Sequence, residues 1–100
     1  IMVLDPPSEF DEMSKSDRDR LLLLCKEYFQ PIKSINTKRS SYWLKHRIQW
    51  VDNGMYCTNG QFKGAMLALG FYSTDIEHSQ NCHFNVSEKS KAIALAKSRR

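Results

Sequence analysis

The sequence predicts a mainly α-helical domain carrying one small β-hairpin, in the order helix, helix, helix, hairpin, helix. Three observations lead there. Leu21, Leu24, Cys25 and Tyr28, and again Phe62, Ala65, Met66 and Leu69, recur at i, i+3, i+4, i+7, each set one face of a helix. Cap and stop residues bracket these stretches. Two short runs, Phe71-Tyr72-Ser73 and Cys82-His83-Phe84-Asn85-Val86, flank a polar loop and read as paired strands spanning about 71–86.

Residues 1–13 hold Asp5-Pro6-Pro7, which removes backbone donors and disfavours helix before it. The expectation is an extended N-terminal arm docked by Val3, Phe10 or Met13, with residues 14–100 as a single small domain. The first helix starts near Ser14 or Ser16, both good caps, and Asp17 and Asp19 suit its positive end. Pro31 lies past its end. The polar connection 31–39 follows. Ser40 or Ser41 then caps a second helix, about 41–51, with Leu44, Ile48 and Val51 inward. Trp43 reads as core and His46 as an exposed helical residue. Asp52-Asn53-Gly54 breaks the helix, with Gly54 available for a left-handed stop.

Thr58-Asn59-Gly60-Gln61 matches the capping box, a hydroxyl at the cap and an amide three residues later. Gly70 falls where a left-handed residue closes a helix, and Phe71 can fold back as its apolar partner. Gly64, Ala65 and Ala68 make this third helix thin enough for a close neighbour. Strand alternation puts Cys82, Phe84 and Val86 on one face and His83 and Asn85 on the other. Ser87 caps a last helix over 88–99, with Ala92, Ile93, Leu95 and Ala96 as its apolar side and a basic end, Lys97-Ser98-Arg99-Arg100. This order of elements is that of a winged helix-turn-helix.

The chain has 100 residues, which suits one domain. With 41% hydrophobic residues and only 4 Gly and 3 Pro, collagen-like, low-complexity and wholly disordered classes are excluded. No apolar run is long enough to span a membrane, and no basic-then-apolar leader opens the chain, so a cytoplasmic protein with no membrane partner is expected. Three cysteines, Cys25, Cys57 and Cys82, form no disulfide framework and suit a reducing compartment.

Charge is unevenly placed. Residues 1–29 carry a formal −3 and residues 30–100 a formal +7. Between 33 and 63, Lys33, Lys38, Arg39, Lys45, Arg47 and Lys63 face Asp52 alone. Such a separated basic surface attracts phosphates or an acidic partner.

In a helix-turn-helix, the start of the second helix meets base edges. Here that region offers Thr58, Asn59, Gln61 and Lys63, while Lys38, Arg39, Ser41, Lys45 and Arg47 are candidate phosphate contacts. The competing reading is a capped core helix with no ligand. Its exposed side is lean, with Gly60, Gly64 and Ala68, and the connection 52–57 is longer than the usual turn. Tyr42, Trp50 and Tyr72 are candidate anchors for a protein partner, and a homodimer would use the same residues. Cys57, His78, Cys82 and His83 lack the knuckle spacing of a zinc site, so no metal or other cofactor is expected. Cys57 with His78 or His83 is the sole Cys/His pairing, without supporting context, and no Gly-rich phosphate loop exists; the reading is not an enzyme.

Ser41-Tyr42-Trp43-Leu44-Lys45-His46, then Tyr56-Cys57-Thr58-Asn59-Gly60-Gln61-Phe62, then Ala65-Met66-Leu67-Ala68-Leu69-Gly70-Phe71, cover about a third of the chain. In their S-Y-x-L-K-H motif followed by N-G-x-F, they resemble short uncharacterised proteins of bacterial phages, plasmids and genomic islands. The resemblance implies a mobile-element origin and an adaptor or regulatory role, and assigns no functional residue. The resulting expectation is a small DNA-binding regulator. The alternative is a protein-binding module or inhibitor that engages a host or phage protein complex.

Overall fold

In a computed structural model describing residues 4–98, α1 spans Lys15–Tyr28, α2 Ser41–Gln49, α3 Asn59–Ala68 and α4 Lys91–Ser98. The predicted anchor Val3 and the basic tail Arg99-Arg100 lie outside the described residues. The caps of α1, α2 and α3 form where the sequence places them. Ser14 Oγ accepts from the Asp17 amide, and Ser40 Oγ from the Trp43 amide, at 3.2 Å each. In α3 the capping box closes both ways: Gln61 N donates to Thr58 Oγ1 at 3.0 Å, and Thr58 N to Gln61 Oε1 at 2.9 Å. At its other end Gly70 takes φ +94°, and the Phe71 amide reaches back to the Met66 carbonyl at 3.1 Å. These are the bonds of a Schellman stop, and Phe71 is buried beneath it.

Helix α3 is the centre of the molecule, packed by α1 and α2 and by an N-terminal turn. That turn corrects the expected extended arm, since Pro7–Phe10 form one turn of 3-10 helix. It lies on the thin side of α3, where a Cβ on Gly60 would stand 2.5 Å from the Pro6 carbonyl oxygen. Phe62, fully buried, stacks edge-on with Phe29 at 5.7 Å and with Phe84 at 6.3 Å, which ties α3 to the end of α1 and to the segment 82–86.

The hairpin does not form, and no β-strand or sheet exists among the described residues; the fold is all-helical, with no wing. The reason is a different partner. Segment 82–86 pairs mainly with the connection before α2: Ile32 N donates to Asn85 O, Asn36 N to Phe84 O, and Ser41 N to Cys82 O, at 2.7–2.9 Å. The pairing collapses to a single bridge between Pro31 and Val86. Toward 71–73, Asn85 makes a backbone-and-side-chain contact in place of a ladder: its side chain accepts from the Tyr72 amide at 2.8 Å, and its own amide donates to the Tyr72 carbonyl at 3.3 Å. Cys82, Phe84 and Val86 are fully buried as expected, but the alternation is incomplete: Asn85, expected on the opposite face, is buried as well, at 5% exposure, and only His83 stays half-buried.

Two boundaries also move. Asn53, not Gly54, takes the left-handed conformation, at φ +59°. Gly54 is needed for closeness, because a Cβ there would stand 2.8 Å from the Val51 carbonyl oxygen. The last helix starts at Lys91, because Ser87 caps a separate turn through the Lys89 amide, and the Ser90 hydroxyl accepts from the Gln30 amide at 2.8 Å. No helix of the described residues is long and apolar enough to cross a membrane.

Candidate nucleic-acid interface

Helix α2 reads Ser-Tyr-Trp-Leu-Lys-His-Arg-Ile-Gln and contains no acidic residue. Ser41, Leu44, Lys45 and Ile48 form its buried side. Tyr42 is left exposed, and Trp43, His46, Arg47 and Gln49 are half-buried on the remaining sides, Trp43 packed against the core, with Trp50 exposed just past the end. The outer face is therefore aromatic and basic along its whole length.

One flank is a stack. The guanidinium carbons of Arg39 and Arg47 stand 4.5 and 4.9 Å from the centre of the Trp43 ring. Trp43 and Arg47 stand four apart on one side of α2, and Arg39 reaches the same ring from the connection just before the helix cap. Glu88 fixes the first cation from across the fold, accepting from Arg39 Nη2 at 2.9 Å and from Nε at 3.1 Å. Lys97 of α4 lies 3.6 Å from the same carboxylate. Arg39, Trp43, Arg47, Ala96 and Lys97 line an open groove of about 240 Å³. Arg39 and Lys97 thus share one carboxylate, and Arg47 adds a third cation to the groove. Those contacts, led by the Arg39 hydrogen bonds, hold the Glu88 carboxyl down at about 2, so it stays ionised and keeps Arg39 in place.

The other flank is a cation under aromatic rings. Lys45 Nζ lies 5.3 Å from the Tyr42 ring centre and 4.9 Å from that of Tyr56, and the residue is only 7% exposed. It makes no ion pair among the described residues. Tyr42 meets His46 edge-on at 4.4 Å. Burial, with the charges of Lys45 and Arg47, lowers the His46 pKa below its ordinary value. Tyr42, Trp50 and Tyr56 are 50%, 61% and 66% exposed, an unusual amount of bare aromatic surface for one small face.

The predicted residues separate into two groups. Arg39, Lys45, Arg47, Tyr42 and Trp50 gather on or beside α2, and Lys38 is exposed on the connection before it. Ser41 is sealed beneath segment 82–86. The start of α3 is not a free recognition surface. Thr58 and Gln61 cap one another, and the Thr58 hydroxyl donates to Glu9 at 2.7 Å. Asn59 is buried and donates to the Gln80 carbonyl at 2.8 Å. Lys63 is wholly buried, its ammonium donating to the carbonyls of Leu4, Asp5 and Ser79 at 3.2–3.5 Å. Those four are withdrawn as base contacts, because their polar atoms hold the fold together. Tyr72 is bound to the connection 31–39 through its hydroxyl, which donates to the Lys33 carbonyl.

Trp43, read from the sequence as core, is partly buried against the core while its ring also carries Arg39 and Arg47. Sequence reasoning passed over Tyr56, Glu88 and Lys97 as site residues. Nothing local marks Glu88 or Lys97, which arrive from the far end of the chain. A second polar cluster lies elsewhere: Asp75 accepts from the His83 amide and meets its ring Nδ1, both at 2.9 Å, and accepts from the Ser73 hydroxyl. Burial would raise the Asp75 carboxyl, but these bonds outweigh it and hold it below its ordinary value. No three metal-ligating side chains converge among the described residues, so Cys57, His78, Cys82 and His83 do not assemble. No protein-family model, curated protein or solved structure matches this chain.

Proposed function

We propose that this chain binds nucleic acid through the outer face of α2 and the adjoining end of α4, as a small regulatory DNA-binding protein of a bacterial mobile element. The carrying observation is the groove of Arg39, Arg47 and Lys97 around Trp43, three cations in a groove where Glu88 pairs with Arg39 and Lys97 and leaves Arg47 without an acid among the described residues. Fixed cations without matching acids gain free energy from phosphates by releasing counterions. Glu88 and the indole restrain the guanidiniums in advance, which lowers the ordering cost of binding.

The test is a fluorescence-anisotropy titration of labelled DNA at about 50 and 200 mM salt, against the double variant Arg47→Gln, Lys97→Gln. The expected result is weaker binding and a salt slope shallower by about 1.4–1.8 log units per log unit of salt, two phosphate contacts' worth. Binding identical to the parent removes this surface from the function.

A second reading has one observation of its own. Trp50 is 61% exposed at the rim of α2, and tryptophan is a frequent energetic anchor of protein interfaces. An acidic protein partner would then be recovered with the parent chain and lost with Trp50→Ala.

A further inference from the structure

Building on the nucleic-acid reading, we infer that the bound nucleic acid is single-stranded, its bases stacking on Tyr42, Tyr56 and Trp50 while its phosphates follow Arg39, Arg47 and Lys97.

The face lacks what duplex reading needs. Reading a duplex requires polar side chains aimed at base edges from an element that enters a groove. The predicted readers Asn59 and Gln61 are bound to Gln80 and Thr58, and Lys63 is buried. No wing exists among the described residues to reach a second groove. On the outer side of α2, Gln49 is the one remaining amide.

The face instead offers ring surface. Tyr42, Trp50 and Tyr56 each leave half or more of their surface to solvent. In a duplex the base faces are already stacked on one another, so exposed rings gain nothing from it. A single strand presents free base faces, and stacking on aromatic side chains recovers energy irrespective of sequence.

The cations are placed to match. Lys45 lies beneath Tyr42 and Tyr56, within 5.3 Å of both ring centres, so a base on either ring rests above a positive charge. Arg39, Arg47 and Lys97 form a separate line on the other flank of the same helix. Tyr42 and Tyr56 around Lys45 form one flank, and Arg39, Trp43 and Arg47 the other, with Trp50 beside Arg47 at the helix end, so a strand crossing the face meets ring surface next to fixed cations. The charge complementarity is one-sided, since α2 contains no acid and Glu88 is engaged by Arg39.

The full chain is titrated by anisotropy with labelled oligo-dT of about 20 nucleotides, with a mixed-sequence duplex of equal length, and with polyglutamate, at about 50 mM salt. The expected result is binding of oligo-dT at least about tenfold tighter than the duplex, with a salt slope near 0.7 per phosphate contact. Tyr56→Leu and Tyr42→Leu are expected to weaken oligo-dT binding by about 5- to 150-fold each, the range for losing one stacked base, while Tyr56→Phe retains it. Circular dichroism confirms that each variant keeps the parent's helix content. Duplex binding equal to or tighter than oligo-dT overturns the inference and leaves the nucleic-acid reading standing. Polyglutamate binding as tightly as oligo-dT, or leucine variants that bind like the parent, reduces the face to charge alone and also overturns it. Binding of neither nucleic acid at low salt defeats the reading beneath it.

Discussion

Glu88 shows how one residue sets the state of a whole surface. Its carboxylate accepts three bonds from Arg39, two of them shared by Nε, and one from Asn36, and Lys97 approaches it. The Arg39 bonds are the largest cause of a folded-state pKa of about 2, against 4.5 for a free glutamate. A depressed carboxylate contributes stability above its unfolded pKa and loses it as pH falls through the folded one. The contribution of Glu88 is therefore complete above pH 4.5 and disappears toward pH 2. Melting temperature followed down that window should fall more steeply for the parent than for Glu88→Gln. Parallel curves would show that the contact does not contribute to stability. None of this was legible locally, because Arg39 and Glu88 are far apart in the chain and meet only once segment 82–86 has folded against the connection before α2. Arg39, Lys45 and Arg47 were legible as a basic cluster, since α2 has a readable cap and a clean apolar side. Lys63 was not. Its charge suggested surface, but its position on α3 faces the N-terminal turn, where three carbonyls surround the ammonium.

Among the elements, α3 carries the most complete local code, and nearly all of it is realised. The capping box, the apolar stripe and the Gly70 stop each act through neighbours within a few residues, which is why sequence alone finds them. The hairpin fails for the opposite reason. Its strands were placed by propensity, but strand pairing is decided by which backbone lies alongside, and 82–86 finds the connection before α2 first. The glycines of α3 permit a sharp prediction. On helix propensity alone, Gly64→Ala should stabilise by up to about 1 kcal/mol. In the folded chain the new methyl meets the Pro7 carbonyl oxygen and Phe10 Cβ, too close for any real contact and partly against rigid backbone. Overpacking of this kind costs about 1–3 kcal/mol, so the net effect should be destabilising in urea unfolding. A stabilised variant would mean that the N-terminal turn leaves α3 readily.

At the scale of the molecule, the question is whether these elements open together. The Cα radius of gyration is 12.5 Å, as expected of one folded unit of this length. Its three cysteines report on separate parts: Cys25 in α1, Cys57 just before α3 and Cys82 at the start of the segment that replaces the hairpin. All three thiols are free and buried. Burial pushes each pKa up, to about 11 for Cys57, even though Lys45 pulls that one down. The reactive species is the thiolate, so alkylation in the native state is suppressed twice, by access and by protonation. Their side chains belong to one continuous core that also holds Phe62 and Phe84. If that core opens as a unit, an alkylating reagent in mild urea modifies Cys25, Cys57 and Cys82 at a common rate set by global unfolding. Peptide mass mapping over time reads the three rates separately. Earlier modification of Cys82 alone would mark the 82–86 segment as a cooperative unit of its own, held to the helices by hydrogen bonds to the connection before α2 rather than by the shared core. That outcome would matter for the binding face, since Glu88 lies just past this segment and holds Arg39 in place. A segment that opens alone would release the Arg39 guanidinium before the helices part, and affinity for nucleic acid would then fall at urea concentrations that leave the helix signal intact.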